Sequence, residues 1–496
     1  MASTRTSSSK QMILSLDIGS SSVRAGLFDH KASAVARLSA RREWRFKTTR
    51  NGGSEMNADV SFRVVCAVID ELMAKVQRRR IEITHIAMCS FWHSLMGVDE
   101  HGKPTTPVLG WADKRSRQYS ALLKKRFDEY ELHNRTGAHF HSSFWPAKLL
   151  LLKHERPDTF ARTAKWLGFG DFVLMRLCGV STTSVSMASA TGIFDQRKCD
   201  WHSELLRYLK VKRATLPPIA ADGKTFRLAP KFAKRWAQLD KAEIFPAVGD
   251  GAADHVGSCG IGKGKASLMV GTSAAMRVAY KGEPSKHIPQ GLWSYRIDRR
   301  RVILGGALSD GGNLYEKFGR ELKVPRAAED EMRVRGAAAH GLLVLPFFFG
   351  ERSTGYREDS AGAIVGTNAG ADGVDLVQAA MEGVAYRLAA ICDRLKRVSR
   401  IKTIVAAGGA LQHSSVWRQI IADVLGRDLS LLEAPESASR GAVLLALESV
   451  GKIESIERFQ TLPSATLEHH SSCHAVYKAA RRAHERAISK LHGEQS

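Results

Sequence analysis

Apolar residues near the start of the chain fall into two runs, Met12 to Leu16 and Val23 to Phe28, separated by the small and polar residues Gly19 to Ser22. A near-continuous apolar run of this length predicts a buried strand, and a Gly-Ser turn between two such runs predicts a β-hairpin. The pattern returns about halfway along: LDIGSSSVRAGLF from Leu16 aligns with LMVGTSAAMRVAY from Leu268, with Gly19 opposite Gly271. Two domains of similar design follow, each opened by a hairpin that presents backbone N–H groups and hydroxyls. Strand-like and helix-like stretches alternate between the hairpins: Ile81 to Ser90 as a strand, Pro146 to His154 as a helix, Trp166 to Cys178 as a strand-to-helix unit. The second half continues with strands at Gly341 to Phe349 and Ile401 to Ala406. Helices are predicted at Val374 to Leu395, whose apolar residues recur at spacings of three and four, and at Val416 to Leu425. Alternation of this kind places the chain in the α/β class. The last stretch, His469 to Ser496, is basic and helical in pattern and reads as a solvated terminal helix.

The length of 496 residues exceeds what one core holds, and 44% hydrophobic with 25% charged residues describes an ordinary globular protein. Residues 1–10 are small and polar and read as a disordered leader; 11–260 and 261–455 are the two domains, and 456–496 a basic helical tail. Basic residues exceed acidic ones to a net charge of +24, but the surplus is spread along the chain, so no nucleic-acid partner is expected. Arg78 to Arg80 and Arg299 to Arg301 read as solvated faces. Seven scattered cysteines without a CxxC pair predict reduced thiols in the cytoplasm and argue against a zinc or iron–sulfur centre. No run reaches the ~20 apolar residues needed to cross a bilayer, so neither a membrane nor export is expected.

Candidate chemistry gathers at two carboxylates. Asp17 ends the first strand just before the Gly-Ser turn, with Arg24 on the return strand; it is either a turn former or an acid that organises Mg²⁺ while the turn holds phosphate oxygens. Asp250, between Gly249 and Gly251 in VGDGAADHVGSCG, opens a short Ala-rich helix; it is either an ordinary cap or a base for a substrate hydroxyl. Asp254, one turn on, reads as a structural partner. Gly257 to Lys263 imitates a phosphate-binding loop, but Gly264 stands where Ser or Thr should bind metal, and the segment precedes a strand rather than following one. His93, Trp111, Asp113 and Arg115 supply hydrogen-bonding groups and an aromatic plate that suit a polyol or sugar. His139 and His141 resemble a metal pair without a third ligand.

Taken in order over about residues 12 to 452, these segments resemble the FGGY family of carbohydrate kinases. LDIGSSSVRAGLFD is similar to the family's first phosphate motif, GDGAADHVG to its catalytic-Asp segment and MVGTSA to its second phosphate motif. LPFFFGERSTGY, AAGGALQHSSVWRQIIADVLGR and ESASRGAVLLAL resemble the three segments that follow. The resemblance implies two actin-like, ribonuclease-H-like domains flanking a cleft in which ATP meets a small-molecule sugar, with Mg²⁺ as cofactor. It makes Asp250 the catalytic base and Asp17 the Mg²⁺-organising acid. Gly19, Ser20, Ser21, Arg24, Gly271, Thr272 and Ser273 line the phosphates, and Gly408, Gly409 and Ala410 face the adenosine. WHSLMGVDEHGKPTTPVLGWADKRS and RTGAHFHSSFWPAKLL are most similar to gluconokinase members, which makes His93, Trp111 and Asp113 sugar contacts and gluconate the leading acceptor. A xylulokinase-like or other polyol kinase is the alternative, and a non-transferring actin-like ATPase the alternative of another class; the oligomer is left open, a homodimer included. Three departures stand out: Phe91-Trp92 where many relatives carry a smaller or sulfur-containing residue before the His, Thr354 in place of Pro after GERS, and Ala361 in place of Arg before GAIVG.

Overall fold

The computed structural model describes residues 10–493 apart from positions 78, 80, 260, 263, 326, 433–435 and 460–463. The leader through residue 9, Arg78, Arg80 and Lys263 therefore lie outside the described residues. Seven strands build a first sheet: β1 (Lys10–Ile18), β2 (Ser22–Phe28), β3 (Ala34–Glu43), β4 (Ile81–Ser90), β5 (Phe226–Arg227), β6 (Glu243–Ile244) and β7 (Val248–Gly249). Seven more build a second: β8 (Lys265–Val270), β9 (Ala274–Lys281), β10 (Trp293–Asp298), β11 (Arg301–Leu308), β12 (Thr403–Ala407), β13 (Leu429–Leu431) and β14 (Ala465–Leu467). The spatial orders are β5-β6-β4-β1-β2-β3, with β7 beside β4, and β10-β11-β9-β8-β12-β13-β14.

Both sheets share one plan, as the sequence repeat predicts. In the first, β1 pairs antiparallel with β2 through Ile18 opposite Val23, and parallel with β4 on its other side. In the second, β8 pairs antiparallel with β9 through Val270 opposite Ala274, and parallel with β12. The first strand of each hairpin is thus central in its sheet, which explains the apolar run of Ile13, Leu14, Leu16 and Ile18, all buried.

Helices cover the sheets in the positions that their apolar spacing requires. α1 (Ala58–Val76) is started by Asn57, whose side chain accepts from the Val60 N–H, and it buries Phe62, Val65, Ile69, Leu72 and Val76 against β2 and β3. α2 (Trp145–Glu155) and α3 (Phe169–Cys178) follow close to the predicted bounds. α4 (Asp250–Cys259) joins the two halves, and α5 (Gly312–Glu321) follows β11. α6 (Gly373–Leu395), opened by a reciprocal Asp372–Asp375 cap, is buried on nearly every face; α7 (Gly409–His413) and α8 (Ser415–Leu425) succeed it. α9 (Ser437–Ser449) and α10 (Ser471–His492) complete the chain's helical layer.

Two expectations are corrected. The strand expected over Gly341 to Phe349 is regular only at Leu343–Leu345, because Pro346 has no N–H to extend the ladder. The terminal helix is docked, not solvated: α10 buries Tyr477, His484 and Ile488, and the His484 ring meets the Val344 carbonyl at 3.0 Å. The preceding residues add β14 to the edge of the second sheet, so this stretch belongs to the second domain.

The halves meet where α4 crosses α9. α4 packs on both sheets, on β4 and β7 of the first and on β8, β9 and β12 of the second, while α9 follows the second sheet's strands yet packs on β1 and β4 of the first. α9 is thus lent to the first half, and α4 bridges the two. The crossing is close because glycines face backbone: a Cβ on Gly257 would stand 1.9 Å from the Ser437 carbonyl oxygen, and one on Gly441 1.8 Å from that of Ala253. Neither helix can take a side chain there without moving its partner. Gly441→Val should cost at least ~2 kcal/mol through overpacking. Urea unfolding checks this, and Gly451→Ala, at a site with open space around it but a positive φ, should cost less.

Candidate active site

Both hairpin turns open into one cavity of about 710 Å³ between the sheets, with Ser20 and Ser21 on one wall and Thr272 and Ser273 on another. The first turn is closed by the Gly19 N–H donating to the Ser22 carbonyl at 2.9 Å, and Trp44 ties it down from outside through its ring N–H on the Gly19 carbonyl and its backbone N–H on that of Ser21, both at 3.0 Å. The second turn is held from α5: the N–H groups of Gly312 and Asn313 donate to the carbonyls of Gly271 and Thr272 at 2.7 and 3.1 Å. Gly408 sits behind it at φ 110°, where a Cβ would stand 2.4 Å from the Val270 carbonyl oxygen, so only glycine fits between β8 and α7. The next glycine, Gly409, faces open space, and Ala410 abuts α5. A groove with open space over a helix start, next to a hydroxyl-lined turn, is a shape that accepts a nucleotide.

Asp250 is the first residue of α4, on the cavity wall, and its Oδ1 accepts from the Gly251 N–H at 2.8 Å. Burial pushes its carboxyl up to about 7; Arg277 opposes that shift, and Asp17 and Asp254 add to it. A carboxyl poised near neutral pH can take up a proton from a hydroxyl. Asp17, only 9% exposed, ends β1 with Oδ1 3.4 Å from the Cys89 thiol of β4. Its carboxyl is also raised, chiefly by burial, against the pull of Arg24 and with Asp254 and Glu436 adding negative charge. Carboxylates crowded in this way suit a divalent cation, and Asp17 is the residue that would hold one, directly or through water. Asp254 is committed elsewhere: it pairs with Arg277 at 3.0 Å and accepts from the Ser437 hydroxyl of α9 at 2.5 Å, which links the helix crossing to the site.

His93 stands on the cavity wall in a left-handed backbone conformation, φ 65°, held by buried Lys148, whose ammonium donates to the His93 carbonyl at 2.9 Å. Its Nδ1 lies 2.7 Å from the Ala190 carbonyl, which can only accept, so Nδ1 carries the proton. Burial holds the ring neutral, with its pKa down at about 3. The lone pair on Nε2 is thus left to accept from a hydroxyl. Trp111 lies beneath the Arg352 guanidinium at 4.4 Å. Phe144, Trp293, Tyr295 and Tyr356 add aromatic surface.

The structure brings Ser20, Ser21, His93, Trp111, Asp250, Thr272 and Ser273 together on the cavity, with Asp17, Gly19 and Arg24 beside the first hairpin turn and Gly271 and Gly408 to Ala410 beside the second. It does not bring Asp113 there. That side chain is 1% exposed, and its oxygens accept from the Ser54 N–H at 3.1 Å and the Arg115 guanidinium at 2.5 Å, so it braces the loop that carries Trp111. His139 stacks on His133 at 4.0 Å and lies 3.5 Å from Glu129, while His141 is 3.4 Å from Glu358, so the two histidines serve separate contacts.

One residue that sequence reading passed over is Arg352, within the quoted GERST segment. It is half-buried, its Nη2 donates to the Leu308 carbonyl at 2.7 Å, its Nε is shut off from solvent and has no partner, and no carboxylate lies within ion-pairing distance among the described residues. Removal from water, with Arg277 adding positive charge, pulls its pKa below the usual guanidinium range. Asp423, His470 and Cys473 form the one group of possible metal-ligating atoms among the described residues, but it lies between α8 and α10, away from the cavity. The Asp423 Oδ1 there already accepts from Gln419 and the His470 backbone, at 2.8 and 2.6 Å, and Oδ2 lies 3.3 Å from the His470 ring.

Known proteins place this geometry. Residues 12–257 match the N-terminal domain of the FGGY family of carbohydrate kinases, and residues 266–449 match its C-terminal domain. The gluconokinase of Bacillus subtilis is 26% identical over 473 residues, covering 92% of this chain and 91% of that protein. The xylulose kinase of Lactococcus lactis is 23% identical over 457 residues, covering 90% and 89%. Among solved structures, the gluconate kinase of Lactobacillus acidophilus superposes with a TM-score of 0.88 at 25% identity, covering 98% of this chain and 99% of that one. The xylulose kinase of the same organism shares the fold with a TM-score of 0.89 at 24% identity, over 98% and 99%. The expected two-domain fold is therefore present, and the chain belongs to the FGGY family of carbohydrate kinases, phosphotransferases that act on small-molecule sugars with ATP.

Proposed function

We propose that the protein phosphorylates a sugar acid at a primary hydroxyl, with gluconate as acceptor and 6-phosphogluconate as product. The observation that carries this reading is Arg352. A half-buried guanidinium without a carboxylate partner gains a charge-assisted pair when an anion arrives. It lines the cavity over Trp111, where it suits a carboxylate. Curated gluconokinases cover about nine-tenths of the chain. The xylulose kinases among the relatives favour a second reading, a neutral pentulose acceptor.

In the proposed reaction the acceptor hydroxyl gives its proton to Asp250 as its oxygen bonds to the γ-phosphorus, and the bond from that phosphorus to the bridging oxygen of ADP breaks. The neutral His93 ring orients a second hydroxyl through Nε2. Gly19, Ser20, Ser21 and Arg24 on one side, and Gly271, Thr272 and Ser273 on the other, hold phosphate oxygens, while Gly408, Gly409 and Ala410 face the adenosine. Asp17 would hold Mg²⁺, directly or through water, and the ion would supply charge neutralisation at the transferring phosphoryl.

Turnover of ATP against a panel of sugars and sugar acids tests the acceptor. Gluconate should be the best substrate, and Arg352→Lys should lower its kcat/KM by ~10²-fold, as expected for a lost charge-assisted pair, while changing a neutral polyol's far less. Efficient phosphorylation of xylulose with no reaction on gluconate favours the second reading.

Asp250→Asn should lower kcat by ~10² to 10⁴-fold with ATP binding retained. Because the carboxyl is held up near 7 and must be ionised to act, kcat/KM of the native protein should fall as pH drops through about 7. Stability moves the other way. Between the unfolded carboxyl's pKa and about 7 the native state binds the extra proton, so stability falls as pH rises. Asp250→Asn should therefore raise the melting temperature at pH 8, with the gain shrinking toward pH 4; a loss at pH 8 would contradict the burial account.

A further inference from the structure

Trp92, the bulky departure noted before His93, has no assigned part in the reaction. It is 6% exposed and lines the cavity. Its indole lies against both glycines that flank Asp250: a Cβ on Gly249 would stand 1.9 Å from Cε2 and Nε1, and one on Gly251 2.5 Å from Cζ3. At Gly251 the nearest group other than the indole, the Arg277 Nε, stands 3.4 Å from that position. The ring is fixed in turn from two directions. Trp293 and Tyr295 meet it edge-on, with centroids at 5.7 and 5.3 Å, and its Nε1–H donates to the Ser186 carbonyl at 3.1 Å. The hydroxyl of that same Ser186 accepts from the Gly249 N–H at 3.0 Å. Ring, serine and glycine thus close a loop around the peptide that leads into Asp250.

We propose that Trp92 is a positioning residue for Asp250: its indole, locked by Ser186, clamps the Gly249-Asp250-Gly251 peptide and keeps water off the inner side of the carboxylate. A helix start between two glycines is otherwise free to shift, since glycine populates more backbone conformations than any other residue. A shift of about 1 Å in a base can cost ~10²-fold in rate. The large flat ring supplies from outside the rigidity that the glycines lack. The same covering accounts for the burial that raises the Asp250 carboxyl. The inference rests on Asp250 as the base of the proposed reaction.

The test measures kcat, both KM values, the pH profile of kcat/KM and the melting temperature, with ATP and the fastest acceptor of the panel. Trp92→Leu should lower kcat ~10 to 100-fold, leave the KM for ATP within about twofold, and move the acid limb down by about one pH unit as water reaches the carboxylate. Trp92→Phe keeps a ring over the glycines but lacks the donor to Ser186, and should fall between Leu and the native residue. Should Trp92→Leu fail to fold, Ser186→Ala reads the clamp from its other end, and a lowered kcat is again expected. Gly251→Ala should be severely impaired in the native background and cost far less when combined with Trp92→Leu, because the clash at Cζ3 is then gone. Native kcat and an unmoved acid limb in Trp92→Leu or Ser186→Ala, or effects of Gly251→Ala and Trp92→Leu that simply multiply, overturn the proposal. Asp250→Asn run alongside separates the two failures. If it is inactive while Trp92→Leu is normal, the clamp alone is wrong; if it retains full turnover, the base is wrong and the clamp falls with it.

Discussion

Everything in the cleft depends on the closeness with which α4 crosses α9. At Gly257 and Gly441 each helix presses on the other's backbone, and no Cβ fits on either side. That contact fixes where α4 begins, and α4 begins with Asp250. It also brings Ser437 onto Asp254, which holds Arg277, the cation that moderates the Asp250 carboxyl. The crossing ties the two sheets together, and contacts such as the Ser294 N–H on the Gly137 carbonyl and the Ser142 N–H on Glu358 join the halves elsewhere. The consequence is a cleft whose walls belong to different sheets and whose floor is the crossing itself.

Burial is the second recurring constraint, and it acts with opposite sign on opposite groups. It pushes Asp17 and Asp250 up, holds His93 neutral, and lowers the Lys148 ammonium that supports His93 to about 7. In the proposed reaction the substrates would relieve these unfavourable electrostatics: a cation beside Asp17, an anion beside Arg352, a hydroxyl proton for Asp250. The aromatic surfaces of Trp92, Trp293 and Tyr295 supply the dry surroundings in which those interactions gain strength.

The local features were legible in the sequence, and the relational ones were not. Both hairpins could be read because a Gly-Ser turn between two apolar runs is a signal contained in about a dozen residues. The α4–α9 crossing could not, since Gly257 and Gly441 each look like ordinary helix glycines until the fold sets them face to face. Asp113 read as a sugar contact because its partner, the Ser54 N–H, lies 59 positions away in the chain. Arg352 was visible as part of a motif, but that it has no ion-paired carboxylate among the described residues is a fact of tertiary packing. In α10 the many surface charges masked the spaced set Tyr477, His484 and Ile488 that docks the helix.

The central claim is that phosphoryl transfer occurs in a cleft between two halves hinged at the α4–α9 crossing. Small-angle X-ray scattering on the protein with neither ligand, with gluconate, with a non-hydrolysable ATP analogue and Mg²⁺, and with all together tests it most directly. The account predicts the smallest radius of gyration when both substrates are bound, with each alone giving a lesser change. A radius unchanged under demonstrated saturation by both would contradict it.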